Sequence, residues 1–397
     1  MTQTILLTLG RLPKALELAR ALHGANARVI VTDPFANHLC RPSRAVAKSI
    51  AVPAPATDPA GYRDALLTVI RDENIDLVVP ISEEALHTTL LAPSLPKHVR
   101  LFGPDHETLH LLHDKLSFNR AALAAGLTVP QTYGAQTSAA QAIAAQGDYI
   151  LKPAHGCSGQ GFSKHAVGTP IPEDARFAAY VAQDFIDGRH VSVQALCHRG
   201  TLNGFVAYEG LIFASSVATC FERVEEAHDL KTWVQHFVQY HAYSGFIAFD
   251  FIIDERGPMA IECNPRLTSG VHFMDPGDMA ACVLDPDASR TVRLKPVRRF
   301  QEGHTSLTEA YRDFLRPRLF LRHLKTMATA KDVLFAARDP LPFFLMTPMS
   351  WDLLKQVMFQ GRSFGEAATH DIEWRALNAA RINTDVGSNQ TSTEHYA

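Results

Sequence analysis

Asp250, Glu262, Asn264 and Arg266 are the residues whose types and spacing first suggest chemistry. The last three fall within Ile261-Glu262-Cys263-Asn264-Pro265-Arg266, and Asp250 lies in the apolar run before it. Gly245 to Ile253 (GFIAFDFII) has the β-branched and aromatic composition of a buried strand. Asp254-Glu255-Arg256-Gly257-Pro258 is turn chemistry, and Met259 to Cys263 reads as the returning strand. An antiparallel hairpin of that length sets Asp250 across from Glu262. Strand alternation sends Glu262 and Asn264 to one side. Oxygen donors without Cys or His suit a hard cation such as Mg²⁺, and an arginine beside them suits a phosphate. The competing reading is a strand end held by ion pairs among Asp250, Glu262 and Arg266.

A second cluster precedes the hairpin. Tyr149-Ile150-Leu151-Lys152-Pro153 is a short apolar strand ending in a lysine, followed by Gly156-Cys157-Ser158-Gly159-Gln160-Gly161-Phe162. Glycines let backbone amides approach an anion closely, and the lysine supplies a point charge. The lysine precedes the loop, so this is not a Walker A arrangement; a plain glycine-rich turn is the alternative.

The elements that must position these groups begin with strands alternating with helices over roughly the first 110 residues, the pattern of a parallel doubly wound sheet. Strands are expected at 4–9, 27–32, 49–52, 76–79 and 100–102, with helices at 12–22, 59–71 and 83–91. The first turn, Leu9-Gly10-Arg11-Leu12-Pro13, lacks the spacing of a dinucleotide site. Glu83 and Glu84 follow a strand directly, where they either face a substrate or simply favour the first turn of a helix. A helix is expected over 114–126, strands at 180–186 and 190–196, and a helix between 225 and 240. Beyond 297 the pattern is helical, from Leu307 to His323 with a break at Pro317, then on to Arg338, and again from Ser350 to Gln360. Arg316, Arg318, Arg322, His323 and Lys325 form either an anion patch or a solvated helix face; we read the latter. The tail from Asp385 is polar and reads as disordered.

Composition narrows the class. The 397 residues are 46% hydrophobic and 20% charged, enough for two or three domains. A formal charge of −3 gives no general case for nucleic acid or an anionic membrane as partner. Cys40, Cys157, Cys197, Cys220, Cys263 and Cys282 show no metal or disulfide spacing and fit reduced thiols. No apolar run reaches the roughly 20 residues of a membrane span, and no signal peptide is evident, so a cytoplasmic protein is expected.

Taken in order, Lys115, Lys152 with its glycine loop, a strand at 183–186, His190, and then Asp250, Glu262, Asn264 and Arg266 form a series that resembles the ATP-grasp superfamily. The series resembles in particular its biotin-carboxylase-like and carbamoyl-phosphate-synthetase-like carboxylate–amine ligases. Glu262-Cys263-Asn264-Pro265-Arg266 matches the E-x-N-P-R motif of that family. The resemblance implies an α/β and α+β chain with an open parallel pre-ATP-grasp, Rossmann-like domain at 1–111. A small lid subdomain (112–187), a large subdomain (188–296), a helical extension (297–383) and a disordered tail (384–397) would follow.

It also implies roles. Lys115 and Lys152 would contact phosphates, and Gly156, Ser158, Gly159 and Gly161 would cover them. Gln183 and Ile186 would read the adenine edge, and His190 the ribose or a phosphate. Asp250, Glu262 and Asn264 would bind two Mg²⁺ ions (Mn²⁺ being an alternative), with Arg266 steadying the transferred group. Two departures stand out: Gln183 takes the place of a frequent Glu, and Asp250 is one methylene shorter than the usual Glu. Thr268-Ser269-Gly270-Val271-His272-Phe273 would line the acceptor pocket, with His272 as a candidate base. No biotin-carrier signal and no glutaminase nucleophile is evident. The implied activity joins a small carboxylic acid to an amine, an amino acid among the candidates, in a protein without nucleic-acid or membrane partners and with a homodimer as candidate assembly. A phosphotransferase and a nucleotide-binding regulatory protein are the alternatives.

Overall fold

The computed structural model describes residues 2–156, 161–214, 217–288 and 290–374. Its first layer is a five-stranded parallel sheet of β1 (Thr4–Leu7), β2 (Arg28–Asp33), β3 (Lys48–Ala51), β4 (Leu77–Val79) and β5 (Arg100–Leu101), in the order β3-β2-β1-β4-β5. Helices α1 (Pro13–Gly24) and α2 (Pro59–Asp72) each open on a proline, whose fixed φ suits the first helical turn. The strand order reverses between β1 and β4, so the loops after those strands flank a crevice where ligands of such sheets bind. Glu83 and Glu84 lie in the second of these loops, ahead of the short α3 (Ala85–Thr89).

Two further sheets follow α4 (His106–His113) and α5 (Lys115–Ala124). The smaller has β6 (Thr132–Gly134), β7 (Tyr149–Pro153), β8 (Ser163–His165) and β9 (Tyr180–Asp184), all antiparallel, in the order β6-β9-β7-β8. Helix α6 (Ser138–Gln146) covers it through Ala140, Ile143 and Ala144, packed with Tyr149, Leu151 and Ala182. The larger sheet contains β10 (Arg189–His198), β11 (Thr201–Ala214), β12 (Val217–Val224), β13 (Gly245–Asp254), β14 (Gly257–Asn264), β15 (Arg299–Gln301) and β16 (Lys331–Asp332), in the order β14-β13-β10-β11-β12-β15-β16. One face of it is sealed by α7 (His228–Tyr240): Leu230, Trp233, Val234, Phe237 and Val238 recur at helical spacing and pack on Val191, Val193, Phe249 and Phe251. Strand alternation leaves Ser192, Gln194, Tyr208 and Asp250 on the other face, which is the face available for chemistry.

Helix α8 (Pro276–Leu284) shares one core with α1, so the large sheet and the N-terminal sheet are joined by continuous apolar packing. After α9 (Gly303–Arg312) and α10 (Pro317–Ala328) the expected helix to Arg338 does not form. Gln301 Nε2 donates to the carbonyls of Met327 and Ala330, ending α10 and laying β16 against β15. Short helices α11 (Leu341–Phe344) and α12 (Met346–Met349) lead to α13 (Trp351–Gln360) and α14 (Phe364–Thr369). The C-terminal segment is fastened to the N-terminal sheet's loops and helix by a buried ion-pair cluster, in which Arg11 meets both Asp33 and Asp371 at 2.7 Å, and by a partly buried pair between Arg20 and Asp339 at 2.8 Å. Burial opposes the charge of Arg11, but two carboxylates outweigh that and hold its guanidinium firmly protonated. Cys40, Cys197, Cys220, Cys263 and Cys282 are buried free thiols.

Candidate functional site

The hairpin forms in the expected register. Asp250 pairs with Glu262 and Ala248 with Asn264, and a bulge between Asp250 and Phe251 shifts the ladder just beyond the acidic pair. Asp250 accepts hydrogen bonds from Ser192 Oγ (2.6 Å) and Asn264 Nδ2 (3.2 Å). Burial and the neighbouring Glu262 push its pKa up, with His190 and Arg266 opposing. Two carboxylates set side by side form a site that a cation would stabilise, and their oxygen donors suit Mg²⁺. Asn264 Oδ1 accepts from Arg266 Nη2 at 2.9 Å, which occupies one of the two lone pairs of the amide oxygen and leaves the other for a cation.

Two lysines face this hairpin from the other sheet and its helix. The Asp114 side chain caps α5 through Ser117 N and so makes Lys115 the first helical residue. Lys115 is buried; its Nζ donates to Gly156 O (2.9 Å) and lies 3.7 Å from Glu262. Lys152, also buried, donates to Gln183 Oε1 (2.9 Å) and, across the gap between the sheets, to Ile261 O in β14 (3.0 Å). Burial holds the Lys152 ammonium down at about 8, Glu262 raising it and Lys115 lowering it. The Gln183 amide has a partner at both ends, since its Nε2 donates to Thr132 Oγ1. Ile186 is buried just past β9, and His190 is exposed on β10, two residues from Ser192 and on the same face. Gly156 and Gly161 take positive φ values of 126° and 67°, backbone that favours glycine at both ends of the loop. Ser158 and Gly159 lie outside the described residues.

The N-terminal domain contributes a residue whose place the sequence left open. Glu83 is buried and forms an ion pair with Arg266 at 2.6 Å, while Glu84 accepts from Thr8, Ile81 and Ser82 and serves the loop itself. Burial opposes ionisation of Glu83, but Arg266, followed by His113, holds its carboxyl down at about 2. His113 lies 3.4 Å from Glu83, and burial lowers its own pKa. Lys14 reaches the same crevice, donating to Ser82 Oγ and Leu267 O. Ser192, Thr132, Lys14 and His113 were missed because each is an ordinary residue in sequence, made relevant only by distant strands and loops.

The segment after Arg266 is tightly held. Gln194 Oε1 accepts from Thr268 N and Thr268 Oγ1, and a Cβ on Gly270 would overlap Gln194. His272 is only 1% exposed, with Nδ1 on Glu17 at 3.0 Å and its ring stacked on Phe221. That placement suits packing rather than proton transfer at the hairpin.

Residues 112–270 match the family model of the ATP-grasp domain. The chain therefore carries an ATP-grasp domain, preceded by a parallel α/β sheet and followed by a mainly helical part. The fold is similar to the biotin carboxylase domain of 2-oxoglutarate carboxylase from Hydrogenobacter thermophilus (15% identity, 74% of this chain and 71% of that one, TM-score 0.60). It is also similar to N5-carboxyaminoimidazole synthetase from Staphylococcus aureus (16%, 74% and 80%, TM-score 0.58) and to biotin carboxylase from Campylobacter jejuni (18%, 74% and 74%, TM-score 0.58). No curated protein sequence matches the chain.

Proposed function

We propose that this protein is an ATP-dependent carboxylate–amine ligase. The observation that carries the reading is the meeting of Lys115 and Lys152 with the Asp250–Glu262–Asn264–Arg266 hairpin inside an ATP-grasp domain. The Hydrogenobacter thermophilus domain was captured with MgADP, ADP and bicarbonate, and the Staphylococcus aureus synthetase with ADP, which supports ATP and Mg²⁺ here. Two Mg²⁺ ions, or Mn²⁺ in their place, would be held by Asp250, Glu262 and Asn264, and would neutralise phosphate charge. Lys115 and Lys152 bind the phosphates with Gly156 and Gly161 beside them, and Gln183 orients Lys152. Ile186 and His190 sit toward the nucleoside, and Arg266, oriented by Glu83, holds the acid or the transferred phosphoryl group.

An oxygen of the substrate carboxylate attacks the γ-phosphorus, and the bridging oxygen leaves with ADP. The amine nitrogen then attacks the acyl carbon, phosphate departs, and the nitrogen loses a proton. The amide product is thus lighter than acid plus amine by one water. Release of ADP and phosphate from Mg²⁺-ATP, measured against pooled amino acids and small carboxylic acids with mass spectrometry of the mixtures, tests this. ADP release that needs both an acid and an amine supports the ligase. ADP release with a phosphorylated product contradicts it.

A further inference from the structure

The hairpin of α9 and α10 lies beyond the ATP-grasp match and has a chemistry of its own. Its inner helix is anchored: Ser306 and Ala310 are buried, and Ser306 Oγ donates to Thr219 O at 3.1 Å. The outer helix buries none of its residues. At the turn between them Leu315 is 90% exposed, Tyr311 67% and Phe314 56%, and Leu321 on α10 is 62% exposed. Isolated surface leucines are unremarkable, but four large apolar groups around one turn are not.

Cations surround this apolar tip. Arg318, Arg322 and Lys325 follow the i, i+4, i+7 spacing that places them on one face of α10, with Leu321 among them. All three are exposed, and among the described residues none forms an ion pair. Arg312 and Arg316 flank the turn, paired only locally, with Glu309 (3.1 Å) and Asp313 (3.5 Å). Residues 303–328 thus carry five Lys and Arg against two Asp and Glu, in a chain whose formal charge is −3. The whole-chain charge conceals this local excess.

We propose that the α9–α10 turn docks on an anionic lipid bilayer. Phe314 and Leu315 enter the interfacial region, and Arg316, Arg318, Arg322 and Lys325 lie against lipid phosphates, their aliphatic stems covering apolar surface. A second copy of the chain fits less well, because a two-fold contact through this tip sets like charges against each other. The docking is peripheral: no helix among the described residues is long and apolar enough to cross a membrane. It is also independent of the ligase reading, since no residue of the hairpin belongs to the nucleotide site.

Co-sedimentation of the full chain with phosphatidylcholine vesicles, with and without an equal part of phosphatidylglycerol, tests the proposal. Binding is expected only to the anionic vesicles and should weaken as salt is raised. Arg318→Ala with Arg322→Ala should reduce partitioning by a factor on the order of thirty. Leu315→Asp should reduce it roughly tenfold or more while leaving the unfolding midpoint unchanged. Equal binding to neutral vesicles, no binding to either, or full binding by both variants would overturn it. So would a concentration-dependent dimer, without lipid, that Leu315→Asp abolishes; that result would assign the tip to a second copy.

Discussion

Arg266 and His272 stand six residues apart, follow the same strand, and both carry side chains that do chemistry elsewhere. The structure separates them. Arg266 is shared between Asn264 of its own hairpin and Glu83 of the N-terminal domain, beside the acidic pair that faces two lysines. His272 turns into the core, held by Glu17 and Phe221, with Lys295 on the same carboxylate at 2.5 Å. Both residues meet a carboxylate that is largely shielded from solvent, so pairing alone does not mark a functional group. What differs is the surroundings: Arg266 adjoins a cluster of two carboxylates and two buried lysines, whereas His272 lies beside a single carboxylate, a lysine and an aromatic ring.

The comparison breaks most visibly in turnover. Glu262→Gln and Lys152→Ala should each lower ATP turnover about a hundredfold or more, with the fold retained, as checked by circular dichroism. Lys152→Ala should also cost about 1–3 kcal/mol of stability, since Gln183 Oε1 and Ile261 O lose their donor. Undiminished turnover by Glu262→Gln would remove the metal assignment. Next comes the ion pair between the N-terminal sheet's loop and the hairpin. Glu83→Ala leaves Arg266 without its carboxylate and should destabilise by about 3 kcal/mol in denaturant titrations, with turnover reduced as well. A double-mutant cycle with Arg266→Ala should show strong coupling; additive effects would mean that the pair does not orient the arginine.

The His272 side predicts a structural effect only. Burial works against ionisation of Glu17, but His272 and Lys295 outweigh it and hold its pKa at about 2, below its ordinary 4.5. A lowered carboxylate pKa stabilises fully above the ordinary value, and that contribution, about 3 kcal/mol, fades as pH falls from 4.5 toward 2. Glu17→Gln should therefore lose stability at neutral pH, with the gap to the parent closing in acid, while turnover per folded molecule holds. A changed pH–rate profile would instead return His272 to the chemistry. The smallest effect is expected at the α9–α10 tip, where Leu315→Asp should shift stability by no more than about 0.5 kcal/mol and leave ATP turnover unchanged.

The β13–β14 hairpin was legible because its signals are local, an apolar run followed by turn residues; the pairing of Asp250 with Glu262 also depends on the bulge at Asp250 and Phe251, since the register from Asp254 and Gly257 alone would set Asp250 against Ile261. The parallel N-terminal sheet was legible for the same reason, its strands and helices alternating with clear stops. Strands β11 and β12 were missed; register shifts near Gly210 and Ile212 break their alternation, and Glu209, Glu222 and Arg223 interrupt their apolar character. The Glu83–Arg266 pair joins residues attached to different sheets, and nothing in Pro80-Ile81-Ser82-Glu83-Glu84 distinguishes the carboxylate that reaches the hairpin from the one that holds its own loop. β16 is only two residues long and is set by the side chain of Gln301 rather than by its own sequence. Local order was readable; long-range pairing of ordinary polar residues was not.

The central claim is that ATP activates a carboxylate, and the fate of a carboxylate oxygen tests it most directly. Once an acid and amine that support turnover are found, the acid is labelled with heavy oxygen and the released phosphate is analysed by mass spectrometry. The account predicts one labelled oxygen in each phosphate, carried over when the amine breaks the acyl phosphate. Unlabelled phosphate, with the label retained in the acid-derived product, would contradict it.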